Sequence, residues 1–247
     1  MNVRRTLAVV RRVWRQLARD RRTLALLFLL PPLLLLLVDA VFANVPGVFS
    51  RVGPLMLGLF PFTMMFAVTS IGLVRERTQG TLERLMASPL GRGDLMLGYA
   101  VAFTAVALVQ SGITLTTGLG ALGLESRGSL ALTVLLVVVQ ALLGVALGLF
   151  LSAFGRTEFE VVQFMPGAIL PQLLLAGLLV PVERLPGVLA VVARLLPLTY
   201  AFEALDRIML RGHGLADGRV VLDLGMLVGM LALLLVAGAL TLRRAEP

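Results

Sequence analysis

The sequence predicts an all-α protein that crosses a membrane several times. Of the 247 residues, 58% are hydrophobic and only 15% are charged, whereas about a quarter of the residues in a soluble domain are charged. Lipid is therefore the expected solvent for most of the chain. Long apolar runs recur from one end to the other, and each is long enough to form a spanning helix.

Six segments have the length of a membrane span, which needs about 20 mostly apolar residues. They are Leu24–Phe42, Pro54–Val74, Tyr99–Leu122, Leu130–Phe154, Val161–Val182 and Val220–Leu242. No internal sequence repeat is evident, so the inverted repeats of many secondary transporters gain no support. We expect one membrane domain over residues 24–247 with short connections.

The distribution of arginine predicts the orientation. All 22 basic residues are arginine, and with six spans fifteen of them fall on the side of the N-terminus and seven on the opposite side. Basic residues accumulate on the cytoplasmic side of membrane proteins. We therefore expect both termini in the cytoplasm.

Residues 1–23 are predicted to form an amphipathic helix at the membrane interface. Five apolar residues recur at spacings of four and three, with arginines on the remaining surface; they are Val3, Leu7, Val10, Trp14 and Leu17. The alternative is a signal peptide cleaved after Val41-Phe42-Ala43. The basic region is long for a signal peptide and the later spans need an anchor, which favours the interfacial helix.

The cytoplasmic loop 75–98 has the pattern of a short amphipathic helix. Thr81 is suited to cap it, and Ser88-Pro89 ends it. Leu82, Leu85 and Met86 give it a small apolar face with charged residues around it. Such a helix either docks on another protein or lies on lipid, and composition leaves both interpretations open.

Segment 183–219, on the outer side between the fifth and sixth spans, contains two short helical patterns separated by Pro197. Neither is long enough to cross a bilayer. We expect short extracellular helices, re-entrant or interfacial, that line or cover a pathway, because irregular backbone at membrane depth needs protein or water beside it. An ordinary outer loop is the alternative.

The loop 75–98 resembles the coupling region of ABC type-2 transporter permeases, the class that exports drugs, antibiotics and polysaccharides. The family pattern is a Glu-Arg pair, a Gly-Thr pair, a glutamate, a leucine and a Ser-Pro pair. In this sequence the corresponding residues are Glu76, Arg77, Gly80, Thr81, Glu83, Leu85, Ser88 and Pro89. Leu82 lies between Thr81 and Glu83 and is counted with the coupling residues. The resemblance implies that this loop docks on an ATP-binding subunit.

A second motif lies about seventy residues further on. Arg156-Thr157-Glu158 opens a short turn before a span that contains Pro166 and Pro171, and Leu196-Pro197-Leu198-Thr199-Tyr200 follows on the outer side. Family members show the same order of elements. The resemblance thus covers essentially the whole chain, and it implies that Arg156, Thr157 and Glu158 form a second contact with the ATPase.

The resemblance also implies partners and a location. Permeases of this family work with two ATP-binding subunits, which bind ATP and Mg²⁺, and with a second permease chain, identical or homologous. We therefore expect half of a translocation pathway, no cofactor bound by this chain, and contact with membrane lipid but not with nucleic acid. The implied location is the cell (inner) membrane of a bacterium or archaeon.

Several kinds of catalytic site are excluded by residue type. The chain has no cysteine and one histidine, His213, so cysteine chemistry and histidine-rich metal sites are absent from it. It also has no lysine, and a phosphate-binding P-loop requires one. No catalytic set can be assembled from the few polar residues, so we expect a permease subunit and not an enzyme.

Polar and soft side chains in the spans are the expected lining of the pathway. They are Thr63, Met64, Phe66, Thr69 and Ser70 in the second span, Ser111 and Thr114 in the third and Gln172 in the fifth. At any single position, bonding within the bundle is the alternative role. A lining with methionine and aromatic groups and few charges suits an amphipathic or hydrophobic substrate such as a drug, antibiotic or lipid-like compound.

Two other functions remain as alternatives. An ion-coupled secondary transporter needs ionisable groups within the membrane, and Asp39 and Asp223 are available, although both lie near the outer boundary. A membrane-bound lipid enzyme is less favoured because a plausible catalytic set is missing.

Overall fold

The structure is a computed structural model that describes the backbone of residues 3–80 and 92–244, and the side chains of 6–80, 97–238, 240 and 241. Every regular element within these residues is helical, which confirms the predicted all-α class. The helices are α1 Val3–Arg19, α2 Arg21–Phe42, α3 Val48–Thr78, α4 Arg92–Leu115, α5 Leu130–Leu151, α6 Glu158–Leu175, α7 Gly187–Arg194, α8 Pro197–Leu205 and α9 Gly218–Arg244. Single π-helical turns extend α4 to Ala121 and α8 to Leu210.

Five of the described helical segments are long and apolar enough to cross a bilayer. They are Arg21–Phe42, Val48–Thr78, Leu97–Ala121, Leu130–Leu151 and Gly218–Gly238. They coincide with five of the six predicted spans. The multi-pass membrane architecture is therefore confirmed.

The predicted fifth span, Val161–Val182, is shorter in the structure. It is helix α6, which has 18 residues and ends at Leu175. Gly177 follows with a φ of +93°, a left-handed conformation that stops the helix, and Pro181 prevents it from resuming. At 1.5 Å per residue α6 is about 27 Å long, near the lower limit for a span.

Helix α6 runs antiparallel to α3 and begins at the end of α3. Glu158 at its start bonds Arg75 near the end of α3, and Ala176 just after it lines a cleft with Val48 at the start of α3. Helix α6 therefore runs beside α3 from the Arg75 end toward the other end, and at about 27 Å it is shorter than α3, which is about 46 Å long. It is not among the five segments that are long and apolar enough to cross a bilayer. We call the two ends of the bundle the Arg75 end and the Asp223 end.

Helices α7 and α8 form a bent pair, with 85° between them, at the Asp223 end. Thr199 Oγ1 donates to the carbonyl of Ala193 (2.6 Å), and Tyr200 donates to the carbonyl of Arg194 (2.8 Å), so the start of α8 is bonded back to the end of α7. Phe202 and Leu205 pack in the core of the bundle. Since the pair enters beside Val48 and leaves beside Arg127, it returns to the end from which it came.

Helix α1 packs against the bundle through Val9 and Val13, while part of the apolar face predicted for the membrane interface stays exposed. Val9 and Val13 are buried against α4, whereas Leu7 and Trp14 are 58% and 45% exposed. The reason is Gly98, where an added Cβ would lie 2.5 Å from the Cβ of Val9. The close approach of α4 at Gly98 therefore selects the Val9 face. The helix also ends at Arg19, because Asp20 caps the start of α2.

The centre of the bundle is the contact between α3 and α5, where glycines allow the two helices to approach closely. A Cβ added at Gly144 would lie 2.2 Å from the carbonyl oxygen of Phe62, and one at Gly148 would lie 2.8 Å from that of Phe66. On the facing helix, Gly58 leaves the space that the buried amide of Gln140 occupies. Small residues at four-residue spacing are typical of helix contacts in membranes.

A single added methyl group should disturb this contact. Gly144→Ala places a Cβ against the backbone of Phe62, so we expect the purified full chain to lose about 2 kcal/mol of stability and to unfold at a lower temperature in detergent. Gly229→Ala in α9 is the matched control, because nothing lies within 4 Å of its added Cβ. Equal unfolding temperatures for both variants would contradict the close approach.

Candidate functional site

The charged residues at the Arg75 end form the candidate site. Arg75, Glu76 and Arg77 are consecutive near the end of α3, and successive side chains on a helix point about 100° apart. Each therefore meets a different neighbour. Between them they contact four other parts of the chain.

Arg75 links the end of α3 to the starts of α2 and α6. Its Nε and Nη2 donate to the two carboxylate oxygens of Glu158 at 2.9 and 3.1 Å, a bidentate pair, and its Nη1 donates to Asp20 at 3.4 Å. Asp20 also caps α2 through the backbone N–H and the hydroxyl of Thr23. The hydrogen bonds from Thr23, and then Arg75, hold the pKa of Asp20 below its usual value, so this carboxylate is charged at neutral pH.

Glu76 links α3 to α1. Its carboxylate accepts a hydrogen bond from Arg12 Nη2 at 2.8 Å, and its side chain is only 3% exposed. A buried carboxylate needs such a partner, because removal of a charge from water is costly. Within this chain the predicted coupling residue Glu76 thus joins two helices and does not face outward.

Arg77 links α3 to the turn after α5, since its Nη1 donates to the carbonyl of Ala153 at 3.4 Å. That turn leads into Arg156-Thr157-Glu158, the second predicted contact with an ATPase. Thr157 caps α6 by accepting from the backbone N–H of Glu160, while Glu160 accepts from the backbone N–H of Arg156. This reciprocal capping holds the turn in one conformation beside the end of α3.

The structure therefore brings together Glu76, Arg77, Arg156, Thr157 and Glu158 at one end of the bundle, and Gly80 follows α3 with a φ of +64°. The other predicted coupling residues lie outside the described residues, and their role stays a prediction. They are Thr81, Leu82, Glu83, Leu85, Ser88 and Pro89. Sequence reasoning missed Arg12 and Arg75 as partners. The Asp20-x-x-Thr23 cap was a usable signal for the start of α2.

Most of the residues predicted to line a pathway are buried within this single chain. Phe66, Thr69, Ser70, Ser111, Thr114 and Gln172 are buried. Several bond the backbone of their own helix: Thr63 to Leu59, Ser70 to Ala67, Thr114 to Gln110 and Gln172 to Ala168. Half-buried Met64 lines a cavity at the Arg75 end. A role in substrate contact stays a prediction for all of them.

The Asp223 end carries a second group of charges around Arg207 of the π-helical turn. Its guanidinium lies 3.7 Å from Asp223, 3.9 Å from Glu203 and 4.0 Å from Asp217. Asp223, for which the sequence alone identified no partner, is thus paired with Arg207 and is 2% exposed at the side chain. Arg207 links the bent pair to the start of α9.

Reversing one charge of the Arg12–Glu76 pair should release α1. For Glu76→Arg we expect a loss on the order of 3 kcal/mol and faster tryptic cleavage at the arginines of α1, because two guanidinium groups then face each other in a buried site. The exchanged pair, Arg12→Glu with Glu76→Arg, should recover most of the resistance. Glu125→Arg, at an exposed position of the other end, is the control. Unchanged cleavage of the single variant would contradict this role.

Comparisons with known proteins identify the family. Residues 4–210 match the family described as ABC-2 type transporter. The ABC transporter G family member 20 of Dictyostelium discoideum is 33% identical over 162 residues, which are 66% of this chain and 22% of that protein. The probable multidrug ABC transporter permease YbhR of Escherichia coli is 34% identical over 133 residues, 54% of this chain and 36% of that protein.

The inner membrane transport permease YhhJ of Escherichia coli is 28% identical over 152 residues, 61% of this chain and 41% of that protein. The matched part is thus less than half the length of each of these relatives. The family match, in contrast, covers most of the present chain and agrees with its several membrane-spanning helices. This chain therefore belongs to the ABC-2 type transporter family.

Proposed function

We propose that the chain is the membrane subunit of an ABC exporter, and that it works with a second permease chain and with two ATP-binding subunits. The observation that carries the proposal is the charged group at the Arg75 end. The residues that link α3 to four other parts of the chain are the first three of the predicted coupling loop 75–98. A movement of that segment would therefore act on the whole bundle through α3.

The partners of each residue determine which helices a displacement of α3 would reach. Displacement of the end of α3 acts on α2 and α6 through Arg75, on α1 through Glu76, and on the turn after α5 through Arg77. In the proposed cycle, ATP and Mg²⁺ bound by the partner subunits close the ATPase dimer. The loop 75–98 is then pushed, and the two permease chains change the side to which their shared pathway opens.

The apolar character of the spans supports an amphipathic or hydrophobic substrate, and relatives that are named as multidrug permeases agree with it. The proposed location is the inner membrane of a bacterium or archaeon, with both termini in the cytoplasm. The Arg75 end is then the cytoplasmic end. It carries the N-terminal helix with its arginines, which agrees with the positive-inside rule.

Loss of the docking contact should be separable from loss of the fold. For Glu83→Arg we expect normal amounts of protein in the membrane, at least a tenfold loss of the ATPase that co-purifies with it, and a matching loss of export, because the substitution reverses a charge on the rim of the predicted coupling helix. Quantitative mass spectrometry of the complex purified from the native membrane measures the first two quantities. It also shows whether one permease chain or two are present.

Glu125→Arg, the same charge reversal at the Asp223 end, is the control for this experiment and should retain the ATPase. Normal ATPase recovery and export in the Glu83→Arg variant would reject this coupling contact. Export that continues when ATP is depleted, and stops when the ion gradient is collapsed, would reject the ABC mechanism in favour of an ion-coupled transporter.

The orientation can be tested directly because the chain has no cysteine, so an introduced one is unique. Glu125 and Thr78 are both exposed and lie at opposite ends of the bundle. We expect Glu125→Cys to react with a membrane-impermeant maleimide in intact cells, and Thr78→Cys to react only after permeabilisation. The reverse pattern would place the termini outside and would contradict the proposed topology.

A further inference from the structure

A cavity of about 390 Å³ lies at the Arg75 end between α1, α2, α3 and α4. This volume falls within the usual range for sites that bind small molecules, about 300–1,000 Å³. Its wall is mainly apolar and includes Leu27, Leu30, Met64, Val68, Ile71 and Phe103. On α3 the lining residues recur at positions 64, 67, 68, 71, 72 and 75, which form one stripe of the helix.

The stripe ends in charged groups, so the cavity is apolar at depth and polar at its mouth. Met64 and Arg75 are eleven positions apart, which corresponds to about 16 Å along α3. A molecule that fills this space needs an apolar body of comparable length and one polar end. Amphipathic compounds with a single charged group have this shape.

The charges that line the cavity favour a cation at its mouth. Among the described residues, three carboxylates line it, those of Asp20, Glu76 and Glu158, together with one guanidinium, that of Arg75. Arg12 balances Glu76 from the side of α1. Arg75 is shared between Asp20 and Glu158, and the two side chains are 35% and 41% exposed, so one negative charge is left in reach of a ligand.

The arginines that flank Asp20 in the sequence do not reverse this balance. Arg19, Arg21 and Arg22 are exposed and are not among the lining residues. Interactions between exposed charges are weak in water, and salt screens them further beyond about 8–10 Å. The carboxylates at the mouth, in contrast, face a wall of low polarity, where charges interact more strongly.

We propose that this cavity binds a monovalent organic cation with an apolar body, which contacts the Met64–Ile71 stripe while its positive charge lies between Asp20 and Glu158. The identity of this ligand as transported cargo rests on the proposed exporter function. The binding site itself does not, since it lies within one chain. Cationic amphipathic compounds are then the class of substrate that the permease takes from the Arg75 side of the membrane.

Decyltrimethylammonium is a suitable probe because its charge does not titrate and lies at one end of an extended apolar chain, and decyl sulfate is its anionic counterpart. Equilibrium dialysis would use the full chain in nanodiscs of phosphatidylcholine, with protein-free nanodiscs as the blank. We expect saturable binding of the cation and no saturable binding of the anion. Binding of the anion that is as tight as that of the cation would overturn the proposal.

Three variants locate the binding within the protein. Glu158→Gln and Asp20→Asn should each weaken binding about five- to tenfold through loss of the unbalanced charge. Asn also caps helices well, so the start of α2 should be preserved in Asp20→Asn. Val68→Trp should abolish binding because the indole fills the cavity. Asp39→Asn, the same change at the other end of α2, is the control and should bind as the wild type does.

Wild-type affinity in all three variants would overturn the assignment of the site. The result of the dialysis does not depend on the proposed exporter function, since dialysis needs neither ATP nor an ATPase. A chain that binds the cation but recovers no ATPase would contradict the proposed function alone. A chain that assembles an active exporter but fails to bind the cation would contradict this cavity alone.

Discussion

The close approach of α3 and α5 is the constraint on which the rest of the structure depends. Lipid tails are as apolar as the side chains between two helices, so burial of apolar surface drives their association only weakly in a bilayer. Backbone contact at Gly144 and Gly148 replaces that driving force with dense van der Waals packing. With this pair in place, α2, α4, α6 and α9 surround it, and α8 fills the space at one end.

This arrangement places the functional groups at the two ends of a helix that is itself held firmly. The middle of α3 packs against α5, while its Arg75 end makes ion pairs with the helices around it. The partly exposed pair of Arg75 and Glu158 contributes modestly and can exchange partners, whereas packed glycine contacts cannot deform without separating the helices. The molecule thus has a rigid centre, where α3 packs against α5, and a more adjustable Arg75 end.

Much of this architecture could be predicted from sequence, because a bilayer requires apolar runs of a set length. The spans α2, α3, α4, α5 and α9 were found within a few residues for that reason. The end of α6 was misplaced because apolar residues continue past Gly177, and hydropathy does not register a left-handed glycine. The packing of α1 through Val9 could not be predicted, because it depends on Gly98 in a distant segment.

The candidate site, too, could be predicted only in part. Its residues could be grouped from the order of the spans and from motifs, and the structure brings Glu76, Arg77 and Glu158 to one end. Their partners could not be predicted, since Arg12 and Glu76 are 64 positions apart and Arg75 and Glu158 are 83 apart. No local pattern encodes such pairs. They follow from the packing of whole helices.

The contacts between α1 and the bundle decide whether another amphipathic helix could replace α1. A helix that only rested on lipid would be an interchangeable anchor, and another amphipathic sequence would serve equally well. Here Val9 and Val13 cover Tyr99 and Val106 of α4, and Arg12 neutralises Glu76. A foreign helix in its place would uncover an apolar strip and leave the Glu76 carboxylate without that arginine. Helix α1 is therefore an integral part of the domain, and exchanges between relatives would have to carry α1 and α4 together.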